Sequence, residues 1–336
     1  MSDLGWPDAR LHVVTGKGGT GKTTIAAALA LALADRGRRV LLAEVEERQG
    51  ISQTFDVPPL GTTETLVAGA DRGGEVFGLC VDAKKALLEY LQLFYHLGRA
   101  GGVLERFGAI DFATTIAPGV RDVLLIGRVY EASRRRKDDR HHRDSSPEDL
   151  AYDAIVLDAP PTGRVARFLS VGAEVAGLAR VGPIRSQADS ITELLHSERT
   201  RVHVVTLLEE MPVQETVDAV AAMRAIGMPL GAVVVNQARV TALDDGPVPP
   251  TAPELDPTSF AADLGAAGLD ATPVLVGALT AQVQAYAERL ALEHEQLDVL
   301  EDLGLPLVTV PALPDGIDPD AIGELADWLG DQGMAP

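Results

Sequence analysis

An eight-residue segment rich in glycine and lysine carries the clearest chemistry in this sequence. Residues 16–23 read GKGGTGKT and satisfy the pattern G-x-x-x-x-G-K-[ST]. Glycines allow a backbone to wrap around a phosphate with its N–H groups pointing inward, and a helix N-terminus adds a favourable dipole. The segment lies between the apolar run Leu11–Val14 and an apolar helical pattern. This strand-loop-helix context predicts a nucleotide phosphate site. The predicted phosphate-binding residues are Gly16, Lys17, Gly18, Gly19, Thr20, Gly21, Lys22, Thr23 and Thr24.

The end of this loop and one later aspartate predict that the nucleotide binds with Mg²⁺. Lys22 is expected to reach the β- and γ-phosphates, and the Thr23 hydroxyl is expected to ligand the metal. Asp158 ends the apolar run Ala154–Leu157, and the carboxyl ends of parallel strands are where such sheets bind ligands. An aspartate in that place is often only a helix cap. Together with the loop, however, Asp158 is predicted to hold Mg²⁺, directly or through water.

The loop contains a second lysine, Lys17, in a chain that has few of them. Two of the five lysines of the sequence, Lys17 and Lys22, fall within these eight residues. A second cation near the γ-phosphate stabilises the charge of a phosphoryl-transfer transition state. We therefore predict a catalytic role for Lys17 beside Lys22 and Asp158.

The elements that would position this loop alternate along the chain. Seven short runs are nearly continuous in apolar residues, as strands buried on both faces of a parallel sheet are. Helical patterns such as 23–36 and 213–225 lie between them, which predicts one α/β domain with a doubly wound, mostly parallel sheet. The predicted strands are Leu11–Val14, Val40–Ala43, Val76–Val81, Ala154–Leu157, Val202–Leu207, Ala232–Val235 and Leu307–Val310.

Two helical stretches are too long for simple crossovers. Residues 83–131 and 166–197 carry apolar residues at helical spacing, and we interpret them as a helical subdomain mounted on the sheet. Ordinary helix packing accounts for these apolar stripes, and a groove for a protein or apolar client is the alternative. Residues 134–150 are charged and predict a mobile surface loop, and the Asp- and Pro-rich residues 243–257 predict a second exposed connection.

Composition narrows the classes of partner. The formal net charge is −20, which disfavours binding to nucleic acid or to anionic lipid. The single cysteine, Cys80, excludes an internal disulfide and any multi-cysteine metal cluster within one chain. The N-terminal residues lack the pattern of a signal peptide, and no run of about 20 apolar residues predicts an integral membrane segment. We therefore expect a cytoplasmic protein.

These residues resemble the family of the arsenical pump-driving ATPase and of the ATPase that targets tail-anchored membrane proteins. Lys17–Thr24 looks like the family's phosphate loop, which is the deviant form of the Walker A motif of P-loop NTPases, and Asp158–Leu169 looks like its switch II segment. Pro118, Gly119 and Asp122 resemble a helix-start motif of the family. Within the family the chain is most similar to short actinobacterial members with a single nucleotide site.

The resemblance implies roles that the residues alone do not. In this family the first lysine of the loop contacts phosphates across a dimer interface, so Lys17 implies a homodimer or a heterodimer with a paralogous subunit. Val235–Gln237 and Val310–Pro311 look like the segments that contact adenine, which makes Asn236 and Pro311 predicted base-binding residues. Guanine is disfavoured because the Asn-Lys-x-Asp motif that reads it is missing. The implied cofactors are ATP and Mg²⁺.

The segment after the second strand departs from the family pattern. Glu46 stands where the family has its first switch I aspartate, and Gln53 stands where it has a catalytic aspartate. A neutral amide orients an attacking water but cannot accept its proton, so we expect slow hydrolysis or a dependence on Glu46 or on a partner. The cysteine pair of the zinc-binding members and the thiols that would bind arsenic are both missing, and arsenite transport is therefore not expected.

Three functional hypotheses follow from these features. The first is a Mg²⁺-dependent ATPase that acts as a dimeric conformational switch for an unidentified protein or apolar client. The second is a regulatory module that binds ATP and hardly hydrolyses it, which Gln53 favours. The third is an ATPase of the partition type acting on DNA or at a membrane surface, against which the acidic composition argues.

Overall fold

The structure is a computed structural model of the 336-residue chain. The structure describes residues 4, 6–45, 49–83, 85–86, 118–136, 150–170, 183–239, 256–313 and 316–335. Side chains are described throughout these residues except at 118–120, 183–184 and 187.

An eight-stranded sheet forms the centre of the described chain, in the order β3-β4-β2-β5-β1-β6-β7-β8. Every neighbouring pair is parallel except β3 and β4, which are antiparallel. The predicted doubly wound, mostly parallel sheet is therefore confirmed. The strands are β1 Leu11–Gly16, β2 Arg39–Glu44, β3 Thr65–Gly69, β4 Glu75–Cys80, β5 Ala154–Asp158, β6 Thr200–Thr206, β7 Leu230–Ala238 and β8 Leu307–Pro311.

Helices cover both faces of the sheet. The helices of the described residues are α1 Lys22–Ala34, α2 Gly50–Thr54, α3 Pro118–Arg134, α4 Thr162–Leu169, α5 Pro183–Leu195, α6 Glu210–Ala225, α7 Pro257–Ala266, α8 Pro273–Glu301 and α9 Pro319–Asp331. The helix α3 begins at Pro118, where the resemblance implies a helix start.

Alternate residues of the central strand β1 point into two separate hydrophobic cores, one on each face of the sheet. In β1, Leu11 and Val13 pack in the core that contains residues of α3, α4, α5 and α6. Val14 packs in the other core, with α1 and α9. Because both faces are covered, the strands must be apolar on both sides, which explains their continuous apolar runs. The carboxyl ends of these buried strands are thereby held rigidly at one edge of the domain.

The last helix, α9, uses its apolar face inside the fold. Ile322, Leu325 and Leu329 are buried in the same core as α1. An amphipathic helix at a membrane surface needs that face for lipid, so α9 in this position does not offer an apolar face to a membrane. None of the helices in the described part of the chain combines the length and hydropathy of a membrane span.

A glutamine side chain occupies part of the sheet edge at β8. The Gln332 amide accepts a hydrogen bond from the Thr309 N–H at 2.9 Å and donates one to the Thr309 carbonyl at 2.7 Å. It thus satisfies both backbone groups of one edge residue, as a neighbouring strand would.

A pair of histidines is buried between β1 and β6. His12 Nδ1 and His203 Nε2 are 3.1 Å apart, and His203 Nδ1 accepts a hydrogen bond from the Ala232 N–H. Burial lowers the pKa of His12 to about 4 and also lowers that of His203, because a buried charge is poorly solvated. Both rings are therefore neutral near pH 7 and act as packing elements of the sheet.

The structure adds elements that the sequence patterns did not predict. The edge strand β3 and the helices α7 and α8 have no counterpart among the predicted elements. Parts of the predicted helical subdomain, 87–117 and 171–182, and most of the two predicted loops, 137–149 and 240–255, lie outside the described residues. The helical subdomain and the mobile loop therefore stay predictions.

Candidate functional site

The predicted phosphate loop joins the carboxyl end of β1 to the start of α1, between the central strands of the sheet. Gly19 and Gly21 have φ values of 90° and 85°, a backbone conformation that side chains disfavour. At Gly16, an added methyl group would lie 2.2 Å from the Val205 carbonyl oxygen of β6. Gly19 and Gly21 are therefore required by the turn, and Gly16 by the close approach of β6, before any ligand is considered.

The start of α1 has no side-chain cap. Its N-cap residue is Gly21, so no side chain accepts a hydrogen bond from the first N–H groups of the helix. Such groups normally find a side-chain or solvent acceptor, and an anion at a helix N-terminus satisfies them and also gains from the helix dipole. The loop and helix start therefore suit a phosphate.

The two predicted metal-binding residues are in direct contact. Thr23 Oγ1 donates a hydrogen bond to Asp158 Oδ2 at 2.6 Å, and Asp158 Oδ1 is buried. Thr23 lies in the first turn of α1 and Asp158 ends β5, the strand next to β1. A hydroxyl and a carboxylate are hard oxygen ligands of the kind that Mg²⁺ prefers. The residues present therefore fit a Mg²⁺ ion at the end of the phosphate loop.

The two lysines of the loop lie in different surroundings. Lys22 is buried at the start of α1, beside Thr23. Lys17 lies at the outer end of the loop, with its side chain 28% exposed. Its Nζ atom forms an ion pair with Glu215 Oε1 of α6 at 3.0 Å. The ammonium group of Lys17 is thus bound to a carboxylate of its own chain.

The segment after β2 approaches the metal-binding residues from the other side. The Glu44 carboxylate is buried and accepts hydrogen bonds from the N–H groups of Gln49 and Ile51 at 2.9 and 3.2 Å. Between them, Gly50 packs so closely on Thr23 that an added methyl group would be 2.9 Å from Thr23 Cγ2. Glu44 therefore fixes this segment against the predicted Mg²⁺ site.

Only one of the two predicted switch I residues, Gln53, lies within the described part of the chain. Glu46 lies outside the described residues. Gln53 is exposed in the short helix α2, three residues after Gly50. Gln53 thus lies about one helical turn after the residue that packs on Thr23.

The predicted base-binding segments lie side by side beyond the loop. The Asn236 side chain is buried and its Nδ2 donates a hydrogen bond to the Thr20 carbonyl at 2.9 Å. Pro311, at the end of β8, is in register with Ala238 of β7. A cavity of about 230 Å³ lies at this place. Its lining includes Leu207, Leu208, Asn236, Gln237, Arg289 and Ala312.

The structure brings most of the predicted site together and shows two carboxylates at its border. The phosphate loop, Asp158, Asn236 and Pro311 all lie at the carboxyl ends of central and neighbouring strands. Sequence reasoning missed Glu44 and Glu215, whose carboxylates lie outside the nucleotide site and bind residues at its border. Glu44 gave a usable signal, because it is a charged residue that ends an apolar strand beside Asp158 in register. Glu215 gave none, since it is one of several acidic residues in an exposed helical segment.

Other metal chemistry finds no support among the described residues. They contain no group of three His, Cys, Asp or Glu side chains placed to hold a metal ion. Cys80, the only cysteine of the sequence, is buried at the end of β4. The predicted Mg²⁺ site does not need such a group, because phosphates and water supply most ligands of Mg²⁺ in sites of this class.

Comparison with known proteins gives a consistent set of relatives. The family model described as anion-transporting ATPase matches residues 9–198. The protein named ATPase BagA of Mycobacterium tuberculosis (strain H37Rv) is 47% identical over 339 residues, which is 99% of this chain and 97% of that protein. The protein named ATPase GET3B of Arabidopsis thaliana is 23% identical over 275 residues, covering 68% of this chain and 64% of that protein.

Proposed function

This chain belongs to the anion-transporting ATPase family, and from that premise we propose that it binds ATP with Mg²⁺ and hydrolyses it as a dimeric conformational switch. The observation that carries the proposal is the hydrogen bond of 2.6 Å between Thr23 and Asp158 at the end of a glycine-rich loop. A hydroxyl and a carboxylate meet there beside a helix start that has no side-chain cap.

The triphosphate lies in the loop in this proposal. The backbone N–H groups of residues 16–24 surround the phosphates, and Lys22 neutralises the β- and γ-phosphates from its buried position. Thr23 and Asp158 hold the Mg²⁺ ion. When bound, the ion neutralises charge that develops on the phosphate oxygens during transfer.

The base of the nucleotide lies in the cavity beside Asn236. Gln237 and Ala312 line the same cavity, and Pro311 precedes Ala312 at the end of β8. The Asn236 amide is anchored to the loop through the Thr20 carbonyl, so the base site and the phosphate site are held in a fixed relation. We propose adenine as the base because the guanine-specific Asn-Lys-x-Asp motif is missing.

Hydrolysis requires a water molecule on the far side of the γ-phosphate. The segment after β2, held by Glu44, lies against Thr23 at Gly50 and carries Gln53 one helical turn later. Gln53 would orient this water through its amide without accepting a proton. Slow turnover follows, unless Glu46 or a partner supplies the base.

The switch requires two chains. We propose that Lys17 of each chain acts on the nucleotide of the other, in a homodimer or in a heterodimer with a paralogous subunit. Closure of the two chains then reshapes the helical subdomain that the sequence predicts at 83–131 and 166–197, where a protein or apolar client would bind.

Single-turnover phosphate release tests this function directly. The full chain is mixed with ATP at concentrations of protein above those of nucleotide, with Mg²⁺ or with a chelator, and Lys22→Ala serves as the control. We expect phosphate release that needs Mg²⁺ and exceeds that of the control. Release from the wild type that is no faster than from Lys22→Ala contradicts the ATPase proposal.

The same assay addresses the second hypothesis, a module that binds ATP and regulates a partner without hydrolysing it. The exposed amide Gln53 in place of an acid favours that alternative. Calorimetric binding of ATP with Mg²⁺, combined with phosphate release at the level of the control, is the outcome that it predicts. Loss of binding as well would contradict both hypotheses.

A further inference from the structure

A three-residue network links the phosphate loop to two helices behind it. Glu215 of α6 forms an ion pair with Lys17 through Oε1 at 3.0 Å. Its other oxygen, Oε2, accepts a hydrogen bond from Thr162 Oγ1 at 3.1 Å. Thr162 is the first residue of α4 and follows Asp158 by four positions. One carboxylate therefore binds the outer lysine of the loop and the segment that follows the Mg²⁺-binding aspartate.

The ion pair determines where the Lys17 ammonium group lies. A lysine is a point charge on a flexible stem, so a single strong partner decides its position. While Lys17 binds Glu215, its ammonium group is paired with a carboxylate of its own chain. The role proposed for Lys17 in a dimer requires the same ammonium group to reach the nucleotide of the other chain. The two positions exclude each other.

Exposure makes this contact reversible. The side chain of Lys17 is 28% exposed and that of Glu215 is 37% exposed. Ion pairs of this exposure contribute little to stability because water competes for both charges. A γ-phosphate, which carries more negative charge than one carboxylate, is therefore able to draw the ammonium group away.

Thr162 connects the pair to the nucleotide site of the same chain. The segment between Asp158 and Thr162 is held to the end of β1 by a hydrogen bond from Thr15 Oγ1 to the Pro160 carbonyl at 2.7 Å. The hydroxyl group of Thr162 is therefore held in place beside the nucleotide site, and through its hydrogen bond it keeps the Glu215 carboxylate next to Lys17.

We propose that Glu215 is a positioning residue that retains Lys17 within its own chain until a nucleotide-loaded partner chain docks. This inference rests on the proposed ATPase function, and it adds a regulatory contact to that function. Glu215 opposes assembly, so its removal favours the active dimer. In this role the Glu215 side chain does not need to contact the nucleotide.

The test measures ATP turnover against protein concentration for the full chain and for Glu215→Gln. The substitution keeps the shape and removes the charge. We expect the protein concentration that gives half-maximal specific activity to fall by about twofold to fivefold, the range in which an exposed ion pair shifts an equilibrium. The maximal activity at saturating protein should stay close to that of the wild type. A merely structural role for Glu215 would lower the maximum instead.

Three further variants complete the design. Glu210→Gln makes the same charge change in an exposed position of the same helix and should leave the curve unchanged. Combining Glu215→Gln with Lys17→Ala should abolish the shift, because the retained lysine is then missing. Thr162→Val, which removes the hydroxyl that binds Glu215, should shift the curve in the same direction by less, and it carries the test if Glu215→Gln does not fold.

The outcomes separate this inference from the proposed function. If the wild type hydrolyses ATP and Glu215→Gln gives an unchanged half-maximal concentration or a lower maximal activity, the retaining role is wrong and the ATPase function stands. A shift of equal size in the Lys17→Ala background would also overturn it. If the wild type releases phosphate no faster than Lys22→Ala, the function itself fails.

Discussion

The inner and outer ends of the phosphate loop carry one lysine each, in opposite environments. At the inner end, Lys22 is buried beside Thr23, which binds Asp158. At the outer end, Lys17 is partly exposed and paired with Glu215 across the surface. A buried side chain at a helix start has few positions available to it, whereas a partly exposed lysine can exchange one partner for another. In the function proposed above, the inner end binds the nucleotide of its own chain, and the outer end changes its partner when a second chain docks.

Because of this difference, removing a charge should have different effects on the protein at the two ends of the loop. Removing a charge at the inner end should affect the binding of nucleotide. Removing a charge at the outer end should affect what happens after binding. Four substitutions test this distinction.

The largest effect is expected for Lys22→Ala. Two charge-assisted hydrogen bonds to phosphate, at roughly 1.5 kcal/mol each, would be lost, which corresponds to about 100-fold in ATP affinity. Isothermal titration calorimetry with Mg²⁺ measures this loss. An affinity close to that of the wild type would show that Lys22 does not bind the phosphates. The two lysines of the loop would then not differ in nucleotide binding.

Lys17→Ala should separate binding from turnover. We expect ATP affinity to stay within about twofold of the wild type, because an exposed charge contributes little to it. Turnover should fall by about 100-fold, the lower range for removal of one group that stabilises a transition state. Calorimetry and phosphate release on the same protein give both values. Equal losses in both would mean that the outer lysine binds the nucleotide of its own chain.

Asp158→Asn sharpens the description of the inner end. The amide keeps the size of the side chain but removes the charge that would hold Mg²⁺, so ATP affinity measured with Mg²⁺ should fall by about tenfold. Without Mg²⁺ the affinity should hardly change. The matched control is Asp153→Asn. Asp153 directly precedes the first residue of β5, far from the phosphate loop, so this variant should bind ATP with Mg²⁺ as the wild type does. Equal losses with and without the metal would contradict the assignment.

The smallest effect is expected for Asn236→Ala, which lies behind the middle of the loop. The substitution removes the hydrogen bond to the Thr20 carbonyl and should lower the free energy of unfolding by about 1–2 kcal/mol. Urea denaturation measures this loss. The control is Gln237→Asn, a change in the exposed neighbouring residue. Residue 237 has a positive φ of 54°, a conformation that asparagine tolerates. No loss in Asn236→Ala would mean that this contact does not support the loop.

Much of the fold was predictable because burial on both faces leaves a strong pattern. The seven predicted strands are all present, and their buried apolar residues belong to the cores on the two faces of the sheet. The strand β3 was missed because it lies at the sheet edge, where the apolar run from Leu66 to Ala68 is short and remains partly exposed. Helix α8 was missed because its apolar residues, among them Val274 and Leu292, are distributed around its circumference and stay exposed.

The candidate site was predictable where neighbours in sequence make it. The phosphate loop and the residue that ends β5 follow from motif and strand position. The contact between Lys17 and Glu215 joins residues that are far apart in the chain, and charge alone does not select Glu215 among the acidic residues of α6. The capping of residues 49–51 by Glu44 depends on a local backbone conformation, with Gln49 at a φ of 58°, that sequence patterns do not reveal.

The amide of Gln332 on β8 bears on how two copies of this chain can meet. An open strand invites another strand to extend the sheet, and sheets often join subunits in that way. Here the backbone groups of Thr309 already have partners, so a strand added at this position would first have to displace Gln332. Assembly by continuing the sheet past β8 is thereby obstructed, which directs pairing toward other surfaces, including the one where the nucleotide loop opens.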